Sequence, residues 1–235
     1  MQTNLPAIIL VHGAWHGAWC WERMTPLLAA KGYRVVAPDL PVNSEHKKIG
    51  MQDYAEAIAA LVQAESQPVI LVGHSMAGII ISQVAEWVPE KIHELIYLSA
   101  YVPANGDSLF GLAQSATNHY LRPYLHFDEV NNEISLDKVP AVEEVFAQLC
   151  TKADQALAIS RLSKQPMKAF ADTVSLGTGF ESVAKRAIIG EHDKAIAAVD
   201  QVRMAEKSGA VLRFIPADHS PFYACPEVCV NALLQ

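Results

Sequence analysis

Short apolar runs and amphipathic stretches alternate along most of this chain. Residues 7–11, Ala-Ile-Ile-Leu-Val, form a continuous apolar run of strand length, as expected of a strand covered on both faces of a parallel sheet. Comparable runs fall at 33–37, 69–72, 93–99, 184–189 and 211–215. A helix is predicted within 19–31, stopped by Gly32, with Thr25-Pro26 at its start or in its first turn. Tyr54, Ile58, Leu61 and Val62 recur at helical spacing, and Asp53 with Glu56 resembles a capping pair at the start of that helix. Residues 76–88 are apolar nearly all round, which predicts a buried helix. Ile196, Val199 and Val202 mark a further helix ending near Gly209, and residues 226–234 a last one. Strand–helix alternation of this kind predicts an α/β fold with a mostly parallel, doubly wound sheet.

The rhythm breaks after Pro103-Ala104-Asn105-Gly106. Residues 104–182 show helical fragments, scattered aromatics (Phe110, Tyr120, Tyr124, Phe127, Phe146, Phe170) and no convincing strand. We expect one domain over 1–235, with a core of 1–103 and 183–235 and an insertion of about 104–182. The insertion lies on the carboxyl side of the strands, where ligands bind in open α/β sheets. Residues 41–50 form a polar loop.

Composition acts mainly by exclusion. A hydrophobic fraction of 51% against 18% charged describes a compact globular chain. The formal charge of −7 argues against nucleic acid or an anionic membrane surface as partner. No apolar run is long enough to span a bilayer. The first apolar stretch, Leu5–Val11, has no basic region before it and leads straight into His12-Gly13. We therefore expect no signal peptide and a cytoplasmic location. Cys20, Cys150, Cys225 and Cys229 form no CxxC pair. They suggest neither a disulfide framework nor a zinc site, and fit a reducing compartment. No cofactor or metal is expected, and a homodimer stays open.

The candidate chemistry centres on residues 68–79, Pro-Val-Ile-Leu-Val-Gly-His-Ser-Met-Ala-Gly-Ile. A strand running into a helix with a serine at the bend is the nucleophile-elbow pattern. The bend wants small residues two before and two after Ser75, and Gly73 and Ala77 supply them. A serine capping the helix of an ordinary βα turn would give the same residues. A serine nucleophile needs a base to take its proton and a third group to orient that base. Of nine histidines, His219 sits four residues past the last strand, in a loop able to lean back over Ser75. His74 adjoins the serine, but adjacent side chains at a tight bend diverge. His12 and His16 more plausibly shape the first loop, and His46, His93, His119, His126 and His192 lack position and partner. The orienting acid should follow a strand end between serine and histidine. Asp193 does so, although it could also cap the next helix. Asp107 is the main competitor and Glu191 a reserve; Asp200 lies within a predicted helix and Asp218 beside the base. N–H donors for an oxyanion are expected from Met76, after the nucleophile, and from Ala14, after the first strand.

Together these residues resemble the α/β-hydrolase superfamily, in particular its small esterases: plant methylesterases, hydroxynitrile lyases and bacterial pyrethroid-hydrolase-like carboxylesterases. The likeness is strongest in Leu10–Trp19, Gly73–Gly78 and Ala217–Phe222, and weakest in the insertion. It implies a Ser75–His219–Asp193 triad, oxyanion donors Ala14 and Met76, and a helical cap formed by the insertion. Gly13, Trp15, Tyr101 and Phe222 are expected to meet the substrate, a small to medium apolar or aryl ester. The chain departs from the pattern at Ala77, often glycine, and at Pro41-Val42-Asn43-Ser44, where many hydrolases read Pro-Gly-x-Gly. The resembled lyases carry threonine at the position of Gly13 and lysine at that of Ser220, and a hydroxyl cannot supply the cation that departing cyanide needs. A lyase, a lactonase and a slow-turnover ligand receptor are the alternatives. Serine at position 75 argues against a dehalogenase, and no HExxH cluster suggests a zinc hydrolase.

Overall fold

The computed structural model describes residues 5–44 and 48–235. His46 and part of the 41–50 loop lie outside the described residues. The first apolar run becomes β1 (Ile8–Val11), fully buried. The stretch 19–31 is not one helix. A 3-10 turn at Ala18–Trp21 precedes α1 (Met24–Ala30), whose first turn contains Thr25-Pro26. Gly32, at φ +89°, ends it in the left-handed conformation that suits glycine. The strand expected at 33–37 is reduced to β2 (Val35–Val36), an edge strand paired only with β1.

Helix α2 (Met51–Ala64) starts before the expected capping pair. Gly50 is its N-cap, and Asp53, three residues on, accepts the Gly50 N–H at 2.7 Å. Asp172, from far along the chain, accepts the Met51 N–H at 3.1 Å. A tertiary contact thus adds to the local cap, which Asp53 makes with Gly50, and Glu56 is exposed. Next come β3 (Val69–His74), α3 (Ala77–Trp87) and β4 (Ile92–Leu98).

The insertion holds α4 (Leu109–Gln114), then β5 (Leu125–Asp128) and β6 (Glu133–Leu136). A short α5 (Lys138–Pro140) widens into a π-helical turn at Ala141–Phe146. Helix α6 (Lys152–Arg161), β7 (Gln165–Pro166), α7 (Lys168–Ala171) and α8 (Thr178–Ser182) follow. The expectation of helices without strands is corrected: β5, β6 and β7 form an antiparallel sheet. Leu-His-Phe-Asp and Glu-Ile-Ser-Leu do alternate at period two, but each is only four residues long. Their turn is closed by Asp128, which accepts from the Asn131 N–H and side-chain amide.

The core then resumes with β8 (Lys185–Gly190), α9 (Ala198–Lys207), β9 (Val211–Ile215), α10 (Pro221–Ala224) and α11 (Pro226–Leu234). Six strands form one wholly parallel sheet in the order β2-β1-β3-β4-β8-β9. One buried cluster joins it to α1 and α11, and the other joins its opposite face to α2, α3 and α9. The direction of winding reverses between β1 and β3. That switch point opens a crevice beyond the strand ends, where the chain leaves β1 at His12-Gly13-Ala14 and β3 at Ser75.

Candidate active site

Ser75 occupies the bend between β3 and α3 with φ +55°, a left-handed conformation costly for a residue with a Cβ. Three backbone bonds hold it there. Its N–H donates to the Leu98 carbonyl, and its carbonyl accepts from Gly78 and Tyr101. Clearance explains the small residues around it. A Cβ added at Gly73 would lie 2.8 Å from the Ala77 carbonyl oxygen, and one at Gly78 only 1.9 Å from that of Tyr101. Ala77 is accommodated, so the tightest demand for glycine falls at position 78.

His219, in the loop after β9, places Nε2 3.0 Å from Ser75 Oγ. Its Nδ1–H donates to Asp193 Oδ2 at 2.8 Å. Asp193 sits in the loop after β8, and its Oδ1 accepts the N–H groups of Ala195 and Ile196 at 2.8 and 2.9 Å. It therefore orders the approach to α9 while meeting the histidine. Gln201, on α9, donates a further bond to Oδ2 at 2.9 Å. Nothing in the sequence singled out this glutamine. The three candidate side chains are thus in one hydrogen-bonded line, with His219 and Asp193 buried. Asp107 instead closes a turn by accepting from Ala104, and Glu191 is exposed. Asp200 bonds Thr117 and Arg203.

The neighbouring histidines act as struts. His74 turns away from the cavity, and its Nε2–H donates to the His219 carbonyl at 2.8 Å. His12 donates from Nδ1 to the Gly13 carbonyl at 2.9 Å and accepts the Leu40 N–H on Nε2 at 3.1 Å. His16 donates from Nδ1 to the Ala14 carbonyl at 2.9 Å. Burial holds all three below the ordinary histidine range, His16 down to about 3. Asp218, beside the base, is fully buried and accepts the N–H groups of Leu149 and Ser220, tying the insertion to the histidine loop. Burial raises its carboxyl above the usual range.

A cavity of about 380 Å³ opens over Ser75 and His219. Ala14 and Met76 line it, and no acceptor meets either backbone N–H among the described residues. Trp15 and Tyr101 also line it. Burial pushes the Tyr101 phenol up, with the Asp193 and Asp200 carboxylates adding to the effect. Two expected substrate contacts are corrected. Phe222 is fully buried and packs edge-on against His74, away from the cavity. Gly13 is not in the cavity wall either; a Cβ there would stand 2.7 Å from Ser75 Cβ, so it provides clearance. The aromatic surface over the histidine comes instead from Phe146, whose ring stacks on His219 at 5.5 Å. His119, passed over in the sequence, lines the exposed mouth with Arg122. Among the described residues no helix is long and apolar enough to cross a membrane, and no cluster of His, Cys, Asp and Glu could hold a metal.

A serine at a strained strand–helix bend, at the switch point of a doubly wound parallel sheet, defines a class of α/β enzyme. The alpha/beta hydrolase family model matches residues 8–232, and the chain belongs to that family. It is 30% identical over 254 residues to methylesterase 1 of Arabidopsis thaliana, covering 97% of this chain and 94% of that protein. It is 31% identical over 246 residues to a pyrethroid hydrolase of Sphingobium wenxiniae, covering 96% and 85%. The crystal structure of a pyrethroid hydrolase from Sphingobium faniae superposes with a TM-score of 0.86 at 24% identity, covering 97% of this chain and 96% of that one.

Proposed function

We propose that the chain is a serine carboxylesterase acting on small to medium apolar or aryl esters. Relatives named methylesterase and pyrethroid hydrolase support hydrolysis of an ester bond. The serine mechanism rests on one observation, the continuous line from Ser75 Oγ through His219 to Asp193 at 3.0 and 2.8 Å beneath the cavity. In this reading Ser75 attacks the ester carbonyl while His219 Nε2 takes its proton and Asp193 stabilises the imidazolium. The Ala14 and Met76 N–H groups receive the oxyanion, where losing one donor costs roughly 100- to 1000-fold. His219 then protonates the leaving alcohol, and water repeats the sequence on the acyl-enzyme. Trp15, Leu109, Ile134, Phe146, Phe170 and Ile196 give the cavity a buried apolar wall, which favours hydrophobic ester groups.

Ser220 is buried and outside the cavity wall, so cyanohydrin cleavage is not our reading. The test is a panel of p-nitrophenyl, methyl-aryl and lactone substrates with wild type and Ser75→Ala, plus labelling by a serine-directed phosphonate. Ser75→Ala should lose roughly 10⁴-fold or more in kcat, and the label should sit on Ser75. Near-normal turnover by the variant would refute the mechanism. Preference for charged acyl groups would refute the substrate class.

A further inference from the structure

Trp15 belongs to the loop after β1, yet residues of the insertion hold it. Its N–H donates to Gln165 Oε1 at 2.9 Å, its carbonyl accepts the Ser163 N–H at 2.9 Å, and its indole N–H donates to the Ile134 carbonyl at 3.0 Å. The residue is buried at φ +63°, a conformation that bulky side chains rarely adopt. Gln165, on β7, is itself only 4% exposed. Its Nε2 donates to the Tyr54 hydroxyl on α2 at 2.6 Å. The glutamine thus bridges α2 to this loop with both ends of its amide engaged.

What this holds is the pair of peptides around Ala14. The Gly13 carbonyl accepts from His12 Nδ1 and from the His16 N–H. That peptide is planar and trans, so fixing its carbonyl aims the Ala14 N–H the opposite way. The next peptide is held by its carbonyl on His16 Nδ1 and by its N–H on Gln165. We propose that Gln165 is a positioning residue for the oxyanion: by holding Trp15 in its left-handed conformation it keeps the Ala14 N–H aimed at the tetrahedral intermediate. The β6–β7 ribbon is then part of the catalytic frame and not a lid that swings away. The proposal rests on the esterase reading above. Without the glutamine oxygen, the buried Trp15 N–H loses its partner. Rotation of the 14–15 peptide would relieve it, and Ala14 would turn too. The His219–Asp193 pair would be untouched.

The experiment compares Gln165→Met, Gln165→Glu and Tyr54→Phe with wild type on an aryl ester and on an aryl trifluoromethyl ketone. The ketone carbon adds to Ser75 Oγ, the serine proton passes to His219, and the resulting hemiketal carries an oxyanion. Gln165→Met removes the acceptor and should lower kcat roughly 10- to 100-fold, with KM moving less than about threefold. Ketone affinity should fall in proportion to kcat/KM. Gln165→Glu keeps an oxygen facing Trp15 and should return activity to within about threefold of wild type. Tyr54→Phe should fall between them. Normal kcat in Gln165→Met overturns the proposal, as does a loss without weaker ketone binding, or a Gln165→Glu variant as impaired as the methionine one. If Gln165→Met does not fold, unchanged ketone affinity in Tyr54→Phe overturns it. Wild type that neither turns over the ester nor labels at Ser75 fails the esterase reading and takes this proposal with it. Active wild type beside an unaffected Gln165→Met fails this proposal alone.

Discussion

Lowering the pH should destabilise the chain steeply, because His12, His16 and His74 are buried where only their neutral forms fit. Their relative exposures are 4%, 6% and 0%. His12 donates from one ring nitrogen and accepts on the other, so a second proton would set two donors against each other at Leu40. His74 Nδ1 is enclosed without a partner, and His16 lies among the rings of Trp19, Phe146 and Phe222. Burial is the leading cause of the lowered pKa in each, and neighbouring histidines add to it for His16 and His74. The unfolded chain takes up these protons near the ordinary value of 6.5 while the folded chain does not. Unfolding then consumes protons, so stability is complete above 6.5 and is lost as pH falls below it.

Each uncharged histidine contributes about 1.4 kcal/mol per pH unit in that window. Three give a ceiling of about 4 kcal/mol per unit, against total stabilities of about 5–15 kcal/mol. His16 keeps contributing down to about 3. Urea unfolding at pH 7.5, 6.5 and 5.5, followed by tryptophan fluorescence, measures the slope, and His74→Gln should reduce it by about a third. Stability that is flat to about 1 kcal/mol between pH 7.5 and 5.5 would refute the assignment of neutral buried rings.

Three substitutions test the site at other points. Asp193→Asn puts an amide where four donors converge. His219 can then satisfy it only by adopting the tautomer that no longer accepts from Ser75, so kcat in the ester assay should fall roughly 10⁴-fold; a loss under tenfold would show that the acid lies elsewhere. Gly78→Ala forces α3 away from the Tyr101 carbonyl and should lose about 3 kcal/mol or more in urea melts. Ala77→Gly should cost only about 0.5–1 kcal/mol and keep its activity, and equal losses at the two positions would remove the clearance argument.

The parts legible in the sequence were those whose signal is local. Parallel strands buried on both faces are continuous apolar runs, so β1, β3, β4 and β8 and the residues just past them stood out. Ser75 and Asp193 each follow such a run, whereas His219 follows β9, an edge strand most of whose residues are exposed. The β5–β6–β7 ribbon was missed because its strands are two to four residues long, too short to separate from the helical fragments around them. Gln201 and Gln165 carry no motif: a glutamine acquires its role only when folding brings a carboxylate or a peptide to it. Phe222 was misplaced because closeness to His219 in the chain does not fix a direction. The short helix that begins at Pro221 turns its ring under the sheet, while Phe146 arrives from the insertion to take the face of the imidazole.

Strain is distributed in a way that explains why so much of the chain converges on this edge. Four non-glycine residues adopt positive φ among the described residues. Three of them, Trp15, Ser75 and Ser99, lie where the chain leaves β1, β3 and β4 at the site, and the fourth is in the β5–β6 turn. Such residues cost of order 1–3 kcal/mol each and persist only where their surroundings over-determine them. Ser75 is restrained by the end of β4, Ser99 by the Ile188 carbonyl of β8, and Trp15 by the insertion. Each strand end is thus held by the next strand or by the inserted ribbon, and Ser75 and Ala14 line one cavity between them. The fold therefore resists relaxation at the site by spreading its restraints across the sheet, and a substitution that loosens one of them, even far from the cavity, should lower activity before it unfolds the chain.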